Sequence, residues 1–269
     1  MSGRLGALAA AMSAEVQRRS LRAFLVALGA GLLAVFGLGA SILPDAFTTN
    51  LLLAYGLFVA VFGIALALSL VQAFSGPFGD ALAVAGWARL DAEERRKAAG
   101  GGRIPRSAAE ASAWLAAHAD APTLPAHRFS AQILAGELTA ARETLATYPS
   151  TTPLERFEIA DDGWFLDFLE GRVAELAPLD AAGRELPTEQ ERTFAAVAIA
   201  TLRSHAAAVA GADWIAPLAA ERPRLAGLAD GIVGARYVVA SWTLTMALTS
   251  LMVGFALLVG RATGVWGLG

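Results

Sequence analysis

The chain has 269 residues, of which 56% are apolar and only 17% are charged, and its net charge is −3. This balance excludes a nucleic-acid partner, because no basic stripe is present to neutralise phosphates. The chain contains no cysteine, which excludes disulfides, thiolate metal sites and cysteine nucleophiles.

Residues 1–22 form a leader ahead of the first long apolar stretch. Within it, Leu5, Leu8, Met12 and Val16 recur at intervals of three or four residues. This spacing predicts a short cytoplasmic helix that lies on an anionic lipid surface. A disordered segment is the alternative that the same residues allow.

Three stretches without charge predict transmembrane helices at residues 23–44, 51–75 and 237–260. Each is longer than the roughly 18 apolar residues that indicate a membrane span. A cleaved signal peptide is the alternative for the first stretch. Its long leader and its long apolar run argue against cleavage.

Small residues are frequent in the first span, where the segment LGAGLLA begins at Leu28. Gly29, Gly31 and Ala34 in this segment imitate a dinucleotide-binding fingerprint. That fingerprint requires a strand followed by a helix, whereas this segment lies in the middle of a span. The small residues therefore predict a place where a neighbouring helix approaches closely.

The distribution of basic residues predicts how the spans are oriented. The loop between the first two spans has no arginine or lysine, and Arg261 is the one basic residue in the tail. Because positive charge is retained on the cytoplasmic side, residues 1–22 and 80–235 should be cytoplasmic and residues 261–269 external. We therefore expect a multi-pass protein of a bacterial inner (plasma) membrane. The basic residues that carry this prediction are Arg4, Arg18, Arg19, Arg22, Arg89, Arg95, Arg96, Lys97, Arg222, Arg224 and Arg236.

The insert at residues 80–235 has the sequence pattern of a helical domain. Ser107, Thr152 and Thr188 are each followed three positions later by glutamate, which predicts capped helix starts. Pro153 supplies a residue that is favoured at the first helical position. Seven or eight short helices are expected. The predicted fold class is an all-α integral membrane protein, with this domain inserted between the second and third transmembrane helices.

One segment of the insert resembles a tetratricopeptide repeat. Gly136, Leu138, Ala141 and Leu145 have the spacing of the second helix of that repeat, and Pro153 follows Ala141 by twelve residues. The preceding helix, AHRFSAQIL, lacks the Trp-Leu-Gly-Tyr pattern of the family. The resemblance implies paired helices with a small contact residue between them.

A second glycine-led segment begins at Gly171, with Val173 and Leu176 after it, 35 residues beyond Gly136. This distance is close to the 34-residue period of the family. The resemblance, which is confined to residues 126–180, implies a domain that binds protein. An unclassified helical bundle is the alternative, because the spacing by itself indicates only packing.

Residues that could carry chemistry are few. His118, His127 and His205 lack metal-ligand spacing, and Asp161 and Asp162 lack a partnering histidine or a calcium-loop pattern. We expect surface or satisfied core histidines and a carboxylate face that is exposed to water. The sequence therefore predicts no catalytic, cofactor-binding or metal-ligating residue and no cofactor.

Aromatic residues form a stripe at helical spacing that comprises Trp164, Phe165, Phe168 and Leu169. We interpret it as the hydrophobic core of the insert, and the alternative is an aromatic anchor for a partner. A second stripe, typical of a packed helix, contains Phe194, Val197, Thr201, Leu202 and His205.

These features predict a non-catalytic scaffold or accessory subunit of a multi-subunit membrane complex. Its spans would hold it in the lipid bilayer, and its cytoplasmic helical domain would bind another subunit. No small-molecule substrate is identified. The alternative is a small transporter or channel component that acts as an oligomer, although ion pathways usually carry ionisable residues at membrane depth and the three predicted spans have none.

Overall fold

The computed structural model describes residues 2–39, 51–98, 105, 107–119, 125–172 and 175–227. Its regular elements over these residues are all helices, in agreement with the predicted all-α class. They are α1 (Ser2–Leu33), a π-helix (Ala34–Gly39), α2 (Leu51–Ala73), α3 (Gly76–Ala98), α4 (Ala108–Ala117), α5 (Pro125–Ala135), α6 (Leu138–Leu145), α7 (Pro153–Leu169), α8 (Ala177–Arg184), α9 (Glu189–Ala210), α10 (Ile215–Ala220) and a 3₁₀ helix (Arg222–Gly227).

The chain divides into two compact units. The helical domain comprises Met1–Ala11 and Pro77–Ala229, and the hairpin unit includes Met12–Gly76. The boundary near residue 76 coincides with the end of the second predicted span, because α2 ends at Ala73 and α3 begins at Gly76, whose φ is +66°.

The hairpin unit pairs α1 with α2 through small residues. Gly31 is buried, and a Cβ atom at its position would lie 2.8 Å from the Phe58 ring. Further along, Arg19 donates a hydrogen bond of 2.9 Å to the carbonyl of Ala73, the last residue of α2. These two contacts make the helices antiparallel, and Gly31 provides the predicted close approach.

Three of the described helices are long and apolar enough to cross a membrane: Gly3–Gly37, Gly56–Ala73 and Glu189–Ala210. The first runs from α1 into the π-helix and the second belongs to α2, and both expose large apolar side chains. Leu33 at the end of α1 is 72% exposed, and Leu68 in α2 is 67% exposed. Apolar surface on this scale is typical of helices that face lipid, so the structure is compatible with a membrane protein.

The third candidate, α9, has features that favour a place in the core of the helical domain over a place in a bilayer. It begins at a capping box on Thr188, and it carries Arg192 and Arg203. Its Ser204 hydroxyl donates a buried hydrogen bond of 2.8 Å to the carbonyl of Trp214 within the helical domain. The span predicted at residues 237–260 and the tail at 261–269 lie outside the described residues.

Residues 2–22 of the leader are helical and continue into the first predicted span as the single helix α1. Its first turns belong to the helical domain. Arg4 Nη1 donates a hydrogen bond of 2.6 Å to the carbonyl of Phe168, and its guanidinium lies 5.5 Å from the centre of the Phe168 ring. Leu5 packs against the domain core. Arg4 and Leu5 therefore pack against the helical domain of the same chain, and contact of the leader with lipid stays a prediction.

The predicted helix starts in the domain are confirmed. Ser107 accepts a hydrogen bond from the Glu110 backbone N–H. Thr152 and Thr188 each begin a complete capping box, and Pro153 occupies the first turn of α7. Each cap satisfies N–H groups that have no partner within the helix. Eight α-helices, α3 to α10, lie between residues 76 and 220 of the described chain.

Helices α5 and α6 form a hairpin in the position of the repeat-like segment. Gly136, whose φ is +86°, makes the left-handed turn after α5, and Ala141 on α6 is fully buried. The second segment differs. Gly171 also has a positive φ of +88°, but the next helix begins at Ala177, and Leu176 precedes it as the cap residue. The glycine-to-helix spacing is thus not repeated, and the resemblance to tetratricopeptide repeats stays a prediction.

The core of the helical domain is built mainly by α7 and α9, with α5, α6 and α8 packed around them. Phe157, Leu166 and Leu186 are each at most 2% exposed. Trp164, Phe168 and Leu169 are also buried, which confirms the predicted core role for these three members of the stripe, whereas Phe165 is half-buried.

Replacing Gly31 with leucine should destabilise the helix hairpin by about 1–3 kcal/mol, because the new side chain would overlap the Phe58 ring. Gly29→Leu is the matched control, since a Cβ atom at Gly29 meets no other atom within 4 Å. The measurement is the unfolding midpoint of the full chain in mixed micelles with increasing SDS. Equal midpoints for the two variants would contradict the close approach at Gly31.

Candidate functional site

A cavity of about 250 Å³ opens in the helical domain where α3, α7 and α9 line a common space. We call it the acidic pocket. Helix α3 contributes Trp87 and Asp91. The other principal lining residues are Asp161, Asp162 and Phe165 from α7, and Phe194, Val197, Thr201 and His205 from α9. Carboxylates therefore share the cavity with aromatic and aliphatic walls.

The acidic pocket overturns two predictions. Asp161 and Asp162 do not form a freely solvated face, because residues of α3 and α9 line the same cavity. His205 also lines this cavity, and its buried Nδ1 has no hydrogen-bond partner among the described residues, so it is neither the surface histidine nor the satisfied core histidine that the sequence predicts. The stripe on α9, which the sequence indicates as a packed helix face, contributes to the wall of the cavity.

The environment of the two carboxyl groups favours their neutral form. Burial raises the pKa of Asp161 to about 7, and the charges of Asp162 and Glu158 act in the same direction. Burial also raises the pKa of Asp162 to about 7; the Tyr148 hydroxyl opposes this shift, and Glu158 adds to it. Each side chain keeps some accessible surface, so the surrounding atoms exclude most of the water without closing the pocket. Carboxyl groups that titrate near neutrality are typical of functional sites.

Two polar atoms at the acidic pocket are buried without a hydrogen-bond partner among the described residues. They are Oδ1 of Asp161 and Nδ1 of His205. A buried polar atom without a partner is costly. Both residues are therefore suited to a ligand that supplies the missing partner.

Aromatic rings form part of the walls of the pocket. The His205 ring packs edge-on against Phe165, with ring centres 5.3 Å apart. Phe194 is held by an edge-on contact of 6.1 Å with the core residue Phe157. The Thr201 hydroxyl donates a hydrogen bond of 2.8 Å to the Val197 carbonyl of its own helix. This hydroxyl is thus engaged with the backbone and is poorly suited to act as a nucleophile.

The geometry supports binding of a cation with an apolar body. The described residues contain no group of three histidine, cysteine or carboxylate side chains that could hold a metal ion. Asp161 and Asp162 can accept hydrogen bonds from a positive group, and the faces of Trp87 and Phe165 can pack against it. The pocket is smaller than the roughly 300–1,000 Å³ typical of sites for drug-sized ligands, so it suits a single side chain or a small amine.

A second cavity, of about 390 Å³, lies between α8, the opposite face of α9 and the residues after α10. Three of its four arginines are already paired with carboxylates, which lowers its capacity for an anion. Arg184 alone has no polar contact with a described residue. The pairs are Arg192 with Glu189, Arg203 with Asp180 and Arg224 with Glu221.

The other two histidines do not join a site. His118 stacks on Trp114 at 4.4 Å, and its Nδ1 lies 2.8 Å from the Trp114 carbonyl oxygen. His127 lies at the start of α5, and neither residue lines the acidic pocket. For His118, the prediction of a satisfied residue is confirmed.

No protein-family model, curated protein or solved structure that was compared with this chain matches it.

Proposed function

We propose that this protein is a membrane-anchored, non-catalytic scaffold or accessory subunit that binds a partner protein through the acidic pocket of its helical domain. The observation that carries the proposal is an open pocket with an unpartnered carboxylate oxygen on a domain attached to apolar helices. A tightly packed core has no structural need for this arrangement.

The anchoring part of the proposal is supported by α1 and α2. Their apolar lengths suit a bilayer, and their exposed leucine and phenylalanine side chains suit contact with lipid. Charged residues stop at Arg22 in α1. A helix of 35 residues is about 52 Å long at about 1.5 Å per residue, so its first turns extend beyond a hydrocarbon core of about 30 Å.

The binding part can be tested by placing the photo-reactive residue benzoylphenylalanine at Ala88, which lines the acidic pocket. Illumination of native membranes should join the full chain to one recurring protein, which mass spectrometry would identify. Ala116, an exposed alanine on α4 outside the pocket, is the matched control and should give no such product. No product at Ala88, or the same products at both positions, would argue against a partner at this pocket.

We also propose that the helical domain is cytoplasmic and that the protein lies in a plasma membrane, because arginine is concentrated on one side of the predicted spans. The natural chain has no cysteine, so single cysteines can report its topology. An impermeant maleimide added to intact cells should label Thr48→Cys and Thr263→Cys but leave Ser107→Cys unlabelled. Labelling of Ser107→Cys from outside would reverse the orientation.

A further inference from the structure

We propose that the acidic pocket binds an organic cation, namely the guanidinium group of an arginine side chain that the partner protein presents. This inference rests on the proposed function in one respect, namely that a partner protein supplies the arginine. The binding chemistry follows from the pocket itself, where Asp161 and Asp162 stand beside Trp87 and Phe165.

The carboxylates provide the recognition of charge. Asp161 and Asp162 belong to α7, and Asp91 approaches from α3. Oδ1 of Asp161 is buried and lacks a partner among the described residues. A guanidinium carries five N–H donors in a planar fork, so it can satisfy this oxygen and a second carboxylate together.

The apolar walls select the rest of the ligand. Trp87, Phe165 and Phe194 offer ring surfaces, and Val197 adds an aliphatic wall. An arginine side chain has an apolar stem and a flat cationic head that stacks on aromatic faces. A hydrated inorganic cation gains nothing from these walls, and the described residues offer no three-ligand metal site.

Binding should also depend on pH because the carboxyl groups must be ionised to pair with a cation. The titratable groups that line the pocket are Asp91, Asp161, Asp162 and His205. Glu158 acts on the pKa of both Asp161 and Asp162, and the Tyr148 hydroxyl acts on that of Asp162. The pKa values of Asp161 and Asp162 are about 7. A cation should therefore bind about tenfold more weakly at pH 6 than at pH 8 if one proton must leave. Protonation of His205 at low pH would weaken binding further.

The test uses the full chain in mild detergent and two probes of equal shape, N-acetylarginine amide and N-acetylcitrulline amide. Calorimetry at pH 8 should detect saturable binding of the arginine probe in the micromolar to millimolar range, with at least about tenfold preference over the uncharged citrulline probe. Asp161→Asn should weaken binding of the arginine probe about tenfold, and Trp87→Leu by a smaller factor. Glu143→Gln, which changes an exposed carboxylate on α6, should leave binding unchanged.

Equal affinity for both probes, no saturable binding up to millimolar concentration, or full binding by Asp161→Asn would overturn the arginine proposal. These outcomes are distinct from failure of the proposed function. If the cross-link at Ala88 forms and survives Asp161→Asn, a partner binds there by other chemistry. If the arginine probe binds and no cross-link forms, the pocket recognises a cation but no partner protein supplies it.

Discussion

Asp161→Asn should stabilise the protein at pH 8 by on the order of 2–4 kcal/mol and change its stability little near pH 4. The structural reason is that the fold places this carboxyl group where its charged form is poorly solvated, and burial raises its pKa to about 7. Asparagine keeps the shape of the side chain and removes the charge. The measurement is the free energy of unfolding of the full chain in detergent at each pH.

The sign of this effect follows from proton binding. Between the ordinary aspartate pKa of 3.8 and the folded value of about 7, the folded chain holds a proton at Asp161 that the unfolded chain has lost. The stability of the natural protein therefore falls as pH rises through this window. Above pH 7 both states are ionised, and the penalty stays constant. The asparagine variant has no charge at this position and lacks the penalty. The difference in free energy of unfolding between the two proteins should therefore grow from pH 4 to pH 7 and then level off.

Asp167→Asn provides a control of opposite sign on the same helix. Burial acts to raise the pKa of Asp167, but hydrogen bonds from Arg172 and Arg142 outweigh it and lower the pKa below the ordinary value. Removing the Asp167 carboxylate should lower the free energy of unfolding at pH 8. The loss should be smaller in acid, where this group is protonated in the natural chain. If the free energy of unfolding depended on pH equally in the natural chain and in Asp161→Asn, the Asp161 carboxyl group would be well solvated in the folded protein.

Features that depend on a few consecutive residues could be predicted from the sequence. Thr152 and Thr188 begin their helices because a hydroxyl and a glutamate three residues apart satisfy N–H groups of the same turn. The long apolar runs in α1 and α2 predict helices by composition alone. A close approach could be predicted for the segment that contains Gly29, Gly31 and Ala34, although only the fold shows that Gly31, and not Gly29, meets Phe58.

The acidic pocket could not be predicted, because its residues come from three helices that are distant in the sequence. Spacing along α7 predicts that Asp161 and Phe165 share a face, but it does not say whether that face meets water. The answer depends on α3 and α9, which bring Trp87 and His205 to the same cavity. The repeat-like spacing is a local pattern that correctly describes the turn at Gly136. The same spacing does not describe the second segment, where the helix begins only at Ala177.

Phe157→Ala should have the largest effect on the helical domain, with a loss of about 3–5 kcal/mol. The Phe157 side chain is 1% exposed. Its ring packs edge-on against Phe194 of the acidic pocket, and a Cβ atom at Gly183 would lie 3.3 Å from it. Truncation would leave a cavity between α7, α8 and α9, since these helices cannot fully collapse around it.

The same substitution connects the core with the pocket. Without Phe157, the Phe194 ring loses an edge-on contact that supports it as a pocket wall, so Phe157→Ala should also weaken binding of the arginine probe. Phe157→Leu should lose less stability because it refills most of the volume, and Arg156→Ala, at an exposed neighbour, should stay within about 0.5 kcal/mol. Unfolding midpoints and probe affinities of the full chain in detergent would be measured on the three variants. If Phe157→Ala were as stable as Arg156→Ala, Phe157 would not be a core residue. If it lost stability yet bound the probe with unchanged affinity, the Phe194 wall would be held by other contacts.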